Sequence, residues 1–384
     1  MNILFAVKSY WPSSGGVQSV TKYMAEGLAR RGHNVTILTS FTSETPVEEQ
    51  HNNVTIHRIK ARAFLKFNYG GESDFQNYIL SRTDLDIVIT VCAQSFAAKW
   101  LFPIIDKVKA KKVMYMHGMR GEHIDFSKIY SLSNFFKEFL LTTWWNIYFK
   151  RYWSKIIKYD ACVHLYENDC SFRYFEAHGF KNNVAIANSC DETFFEPSKD
   201  STVMQRYGIN KPYFIQVANY DENKNQMFSL KAYLNSGLKE VEIVFVGSRN
   251  GSYVNKVEKY CDQLPDHMRC RIHILKSVPR QDTIELVKNS YATLLSSHSE
   301  YFPISIIEGM AAGKPFISTY VGEVPKMVGG HTVKTIPDMA YWMRYYFDNK
   351  DYVIRCGELG FLFAKEHMLL DSKIAQLESL CSNN

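Results

Sequence analysis

Short apolar, β-branched runs alternate along this chain with stretches whose apolar residues recur at helical spacing, and the alternation runs through twice. Residues 2–7, 35–38, 86–91, 113–116 and 161–165 read as buried strands, separated by polar or helical segments. After the first of them, Val17, Val20, Met24 and Leu28 fall on one helical stripe, and Gly32 stands where a helix C-terminus expects glycine. Around residues 191–212 the period lapses, and proline and polar residues gather. A second series then begins, with strands at 214–217, 241–246, 272–275, 292–295 and 315–318. Strands that alternate with helices pair in parallel through right-handed crossovers. The expected fold class is therefore α/β, with two Rossmann-like doubly wound domains facing across a cleft. Their expected bounds are 1–195 and 196–365. A closing helix within 366–384, with Ile374, Leu377 and Leu380 on one stripe, is free to return to the first domain.

Composition narrows the function. A chain of 384 residues is long for one core, and 46% hydrophobic with 22% charged residues is an ordinary globular balance. Disordered, collagen-like and coiled-coil chains are excluded. A formal net charge of +6 is too mild for a dedicated nucleic-acid binder, so no nucleic-acid partner is expected. The eight cysteines include no Cys-x-x-Cys pair, which removes zinc-ligand spacing and a compact disulfide scaffold. No secretory leader and no run of 18 uncharged apolar residues is visible. The expectation is a cytoplasmic protein with reduced thiols.

Two segments carry chemistry. The Gly15-Gly16 loop joins the first strand to the first helix, where bare backbone and unpaired N–H groups suit an anion. The same pair also reads as a tight turn that needs no ligand. Gly-x-Gly-x-x-Gly and Gly-x-x-x-x-Gly-Lys-Ser/Thr spacings are both missing, so dinucleotide and P-loop enzymes lose support. The second segment is Ser299-Glu300-Tyr-Phe-Pro-Ile-Ser-Ile-Ile-Glu308-Gly-Met-Ala-Ala-Gly-Lys-Pro. One carboxylate precedes a loop and the other stands inside the following helix, whose core face is Ile304, Ile307 and Ala311. Taken alone, a solvated acidic pair on a surface helix explains it as well.

Taken with the Gly-Gly loop, the Glu-x7-Glu spacing resembles the family-4 retaining glycosyltransferases of the GT-B fold. Asn188-Ser-Cys-Asp191 is similar to that family's Asn-Gly-Val-Asp turn. Val217-Ala-Asn-Tyr-Asp-Glu-Asn-Lys224-Asn resembles its first C-domain strand and phosphate-facing lysine, Val244-Phe-Val-Gly247 the next strand end, and Leu275-Lys-Ser-Val-Pro279 its base-cradling loop. The resemblance implies a nucleotide-sugar donor, uridine diphosphate favoured, on the C-terminal domain and an acceptor on the N-terminal one. It implies catalytic roles for Lys224 toward the diphosphate, Glu300 toward the transferred sugar, and His117, which follows the strand at 113–116. Donor contacts fall to Gly16, Asn219, Gly247, Arg249, Val278, Ile304 and Glu308, with Glu308 on the ribose. No acceptor residue is assigned, and neither a cofactor nor a metal is expected.

Two positions depart from that pattern. Asn219 stands where the family pairs an arginine with the lysine, and Arg249 is the candidate to restore the charge. Tyr301-Phe302-Pro303 replaces a glycine-bearing loop, and proline cannot donate a hydrogen bond. These departures keep two alternatives open beside the transferase: a nucleotide-sugar epimerase of the same fold, and a non-catalytic partner subunit. Finally, residues 135–158 mix aromatics with Lys137, Lys150, Arg151, Lys155 and Lys158 against one Glu138. That mixture suits peripheral contact with an anionic membrane surface and a carbohydrate or lipid-linked acceptor, or else a buried core helix.

Overall fold

Four of the five residues in Asn2–Ala6 are buried, as expected of a strand covered on both faces. This is β1, and it lies inside an eight-stranded sheet. The computed structural model describes residues 1–384 except 14, 42–44, 65–66, 120–131, 248–250 and 383–384. Side chains are described for all of these but 62–64, 67–68 and 133–134. The chain divides into two compact units, residues 1–188 with 371–384, and residues 189–370.

The first unit continues with α1 (Gly16–Arg30), β2 (Asn34–Ser40), β3 (Glu48–His51), β4 (Val54–Ile59), β5 (Arg62–Phe64), β6 (Phe67–Tyr69) and α2 (Glu72–Ser81). Then come β7 (Ile87–Val91), α3 (Phe96–Leu101), β8 (Lys111–Tyr115), α4 (Leu132–Ile156), β9 (Ala161–His164), α5 (Cys170–Ala177) and β10 (Asn183–Ala185). The sheet order is β10-β9-β8-β7-β1-β2-β4-β3, parallel except where β3 meets β4, while β5 and β6 form a separate ribbon. Phe75, Phe96, Trp100, Phe102, Phe149 and Phe175 fill the core against this sheet.

The second unit holds α6 (Val203–Arg206), β11 (Tyr213–Val217), α7 (Gln226–Ser236), β12 (Glu242–Gly247), α8 (Ser252–Asp262), α9 (Asp266–Arg269) and β13 (Ile272–Lys276). It continues through α10 (Arg280–Lys288), β14 (Ala292–Leu295), α11 (Ile304–Ala311), β15 (Phe316–Thr319), β16 (Gly330–Val333), α12 (Ile336–Asp348) and α13 (Lys350–His367). Its six strands are all parallel in the order β13-β12-β11-β14-β15-β16. Numbered within the unit this is 3-2-1-4-5-6, the doubly wound order whose winding reverses between the first and fourth strands.

The closing helix α14 (Leu370–Ser382) belongs with the first unit. The expected domain bounds after 195 and 365 fall instead after 188 and 370. Phe194 and Phe195 account for the first difference. Phe194 is buried in the second unit, and the Phe195 ring meets Phe361 edge-on. A polar stretch where the periodicity lapses thus carries an aromatic anchor that reads as linker in the sequence.

Candidate active site

In an open parallel sheet, ligands bind beyond the carboxyl ends of the strands where the winding reverses. In the second unit that place lies between β11 and β14, so the loops 218–225 and 296–303 frame it. A buried network ties these loops together. Gln216 Nε2 donates to the Lys224 carbonyl and to Ser296 Oγ, both at 3.0 Å. Ser296 Oγ lies 3.0 Å from the Lys224 carbonyl and 2.8 Å from that of Asn225. Asn223 Nδ2 donates to the Ser299 carbonyl at 2.9 Å, and the His298 N–H returns to the Asn223 carbonyl at 2.8 Å. Asn225 adopts the left-handed conformation that turns the chain into α7. With both backbones held, Lys224 Nζ meets Glu300 Oε1 at 2.5 Å, the lysine side chain 27% and the carboxylate 13% exposed. Gly322 packs against the backbone of Glu300 and Tyr301. Its φ of 52° and the carbonyls of Tyr301 and Glu300, 2.3 and 2.7 Å from where a Cβ would sit, leave room only for glycine.

A second ion pair stands on α10 and α11. Residues 306–311 of α11 are all buried, so Glu308, 4% exposed, is a carboxylate inside a helix with no solvent face there. Such a group needs a cation, and Arg280 Nη2 supplies it at 2.5 Å from Oε1. The guanidinium also lies over the Phe194 ring, 5.1 Å from its centre. The Cys190 thiol lies close by, its pKa pushed well above the ordinary value by burial and then by the Glu308 charge. Arg280 is absent from the sequence-level assignment. Its one local signal is position, as the first residue of a helix directly after Ser277-Val278-Pro279. Its partner lies 28 positions away, which no local pattern can reveal.

The other expected donor residues distribute as follows. Gly247 ends β12, and a Cβ there would stand 2.5 Å from the Ala218 carbonyl and 2.7 Å from the Tyr220 ring. Close packing alone therefore demands glycine at 247. Asn219 is exposed, and its carbonyl accepts from Gln226 Nε2 at 3.0 Å. Val278 is half-buried beside Ser277, whose φ is 56°. Ile304 is the first residue of α11, half-buried after a buried Phe302 and Pro303. Arg249 lies outside the described residues.

Gly16 and His117 belong to the first unit. Gly16 opens α1, and nothing lies within 4 Å of the Cβ it lacks. Local packing therefore gives no reason for glycine there. His117 follows β8, half-buried and stacked on Tyr115 with ring centres 5.1 Å apart. Burial pushes its pKa down to about 4, so the imidazole is neutral at physiological pH. The neighbouring Cys92 thiol is pushed up to about 12 by the same cause and is no thiolate nucleophile.

Two doubly wound units built on mostly parallel sheets, the second with basic–acidic pairs at its carboxyl edge, are the architecture of the GT-B class of glycosyltransferases. Solved structures with this fold match the chain from end to end. Sucrose-phosphate synthase from Thermosynechococcus elongatus matches with a TM-score of 0.76 at 13% identity over 99% of this chain and 98% of its own. A glycosyltransferase from Rickettsia africae gives 0.74 at 18% identity over 99% and 97%. Anabaena HepE, solved in complex with UDP-glucose, gives 0.73 at 16% identity over the whole of both chains. Among curated proteins none matches the sequence at a significant level. The family models are more specific: residues 14–162 match Glycosyltransferase Family 4, and residues 201–336 match Glycosyl transferases group 1. The two span well over half of the chain, which belongs to this glycosyltransferase family.

Proposed function

We propose that the protein transfers a sugar from a uridine diphosphate sugar to an acceptor hydroxyl with retention of anomeric configuration, in the synthesis of an envelope polysaccharide or glycolipid at the cytoplasmic face of a membrane. The observation that carries this reading is the Lys224–Glu300 pair, pinned by backbone on both sides at the winding reversal of the second sheet. Negative charge grows on the departing diphosphate during transfer, and a cation already fixed in place stabilises it without reorganising. Lys224 has that duty. Glu300 receives hydroxyls of the transferred sugar, and Glu308 accepts from the ribose through charge-assisted hydrogen bonds. Arg280 takes the second phosphate-facing charge that Asn219 lacks. These cations supply what a divalent ion would otherwise provide, so the transfer is metal-independent. His117 of the first unit, neutral, is available as a hydrogen-bonding group.

In the step itself the bond from the anomeric carbon to the diphosphate oxygen breaks, and the acceptor oxygen bonds that carbon on the same face. The departing phosphate oxygen takes the acceptor's proton. The presence of UDP or UDP-glucose in the Anabaena HepE structures favours uridine as the base. Thermal-shift measurement across UDP, GDP and ADP tests the donor side, because a ligand held only by the folded state raises the melting point. A rise with UDP, followed by UDP release that requires an acceptor and survives EDTA, supports the proposal. UDP-sugar interconversion without acceptor would replace it with an epimerase. Absence of any nucleotide binding would make the chain a partner subunit.

A further inference from the structure

Among its described residues, helix α4 presents two apolar faces, one buried in the first unit's core and one largely exposed. On the inner face Tyr148, Phe149 and Ile156 are buried in the first unit's core, with Trp145, Tyr152 and Trp153 packed against it. The Tyr148 hydroxyl donates to the Ala93 carbonyl at 2.8 Å, and Tyr152 stacks on Phe102. On the outer face Leu132, Phe136, Leu140, Trp144 and Ile147 follow at steps of four, four, four and three, with Phe139 beside them. They are 46–74% exposed. Steps of three and four keep side chains on one stripe. A helix apolar all round is normally buried all round, so the exposed outer stripe of α4 calls for an occupant.

Charge identifies that occupant. In its last two turns the stripe becomes cationic through Lys150 and Arg151, both exposed, and Lys137 flanks its apolar half. Lys155 and Lys158 follow, sharing Asp106. The one acidic residue between 132 and 158 is Glu138, buried at 8% on the opposite side. A second copy of the chain would set like charges against each other. A lipid surface instead receives large apolar side chains below its headgroups and cations at their phosphates. No helix among the described residues is long and apolar enough to cross a membrane, so α4 would lie on the surface.

We infer that the outer face of α4 seats the protein on anionic phospholipid. The inference rests on α4 alone and needs no donor or acceptor. Flotation of the full chain with vesicles tests it, using phosphatidylcholine alone and phosphatidylcholine mixed with phosphatidylglycerol. The wild type should float with the mixed vesicles, far less with the neutral ones, and less as salt rises. Leu140→Glu with Ile147→Glu should abolish flotation, and Lys150→Glu with Arg151→Glu should lower binding about thirtyfold or more. All four side chains are exposed, so melting temperature and any UDP-induced shift should stay at wild-type values. Failure of the wild type to float, equal flotation with neutral vesicles, or unaltered flotation of both double variants would overturn the inference. So would light scattering that shows a dimer split by Leu140→Glu with Ile147→Glu. Loss of the UDP shift with flotation intact would count against the transferase reading alone.

Discussion

A lysine at the end of four methylenes is a poor electrostatic anchor unless something else fixes it. Here the backbone does so: the Lys224 carbonyl is held by Gln216 and Ser296, and its N–H donates to Asp221 Oδ1 at 2.9 Å. Preorganisation of this kind gives a cation catalytic weight. Lys224→Ala is therefore expected to lower kcat by about a hundredfold or more, with a smaller change in KM. Steady-state transfer kinetics decide it, and wild-type turnover would remove Lys224 from the chemistry. Arg280 makes a sharper test because two opposite outcomes are possible. If it binds phosphate, Arg280→Ala weakens UDP binding about tenfold by calorimetry, and Arg280→Lys restores little because the planar guanidinium is lost. If it only pairs with Glu308 and competes with the ribose for that carboxylate, Arg280→Ala tightens UDP binding instead, and the phosphate role falls.

Loops and strand ends show how far a sequence can be read at the scale of elements. The fully buried strands are legible because β-branched runs bounded by turns have few other fates; β14 is found at the expected residues 292–295. Strands such as β4, with its half-buried alternation, and β16, which reads Gly330-His-Thr-Val, lack that signal and are absent from the sequence-level list. The Lys224–Glu300 juxtaposition is not legible either, for it depends on the strand order that brings residues 76 apart in sequence together. What the Glu-x7-Glu spacing does expose is the strand–loop–helix unit on which both carboxylates ride. The family pattern offers Gly247 as a ligand contact, whereas the packing of β12 against Ala218 and Tyr220 already requires it. Gly247→Ala should therefore destabilise the fold by about 1–3 kcal/mol in denaturant melts. A variant with wild-type stability and weakened UDP binding would return Gly247 to the ligand. His117 carries an element-scale pH dependence. Its pKa of about 4 in the fold lies below the ordinary value of 6.5, so the unfolded chain binds the proton first as pH falls. Stability should decline from pH 6.5 toward pH 4 by about 1–3 kcal/mol through this group. His117→Gln should flatten that slope, and an unchanged slope would mean the imidazole is protonated in the native state.

At the scale of the whole molecule, the last helix makes the first unit depend on the end of the chain. Ile374 and Leu377 of α14 are buried, and Ile374 Cδ1 fills the space left by the missing side chain of Gly27 in α1, 2.1 Å from where its Cβ would sit. Around that contact Arg31 bonds Glu378 at 2.5 Å and Asp371 at 2.7 Å, His33 bonds Glu378 at 2.6 Å, and Lys111 Nζ reaches the Leu380 carbonyl at 2.8 Å. The apolar contacts dominate, since each buried Ile or Leu contributes about 1.5–3 kcal/mol and half-exposed ion pairs much less. Ending the chain after residue 370 should thus lower the melting temperature of the first unit by several degrees. Residues 189–370 keep Lys224, Arg280, Glu300 and Glu308 together, so UDP should still raise the melting temperature of the second unit. Differential scanning calorimetry with and without UDP separates the two, and a truncated chain that melts like the full one would show that α14 contributes nothing. Glu378 adds an acid signature to the same experiment. The hydrogen bonds from His33 and then Arg31 hold its carboxyl below the usual glutamate value, so its contribution is present above about pH 4.5 and is lost as pH falls through the lowered value. Glu378→Gln should remove that acid-side loss from the first transition and leave the second untouched, and equal acid slopes in the two proteins would place the clasp outside the stability of the unit.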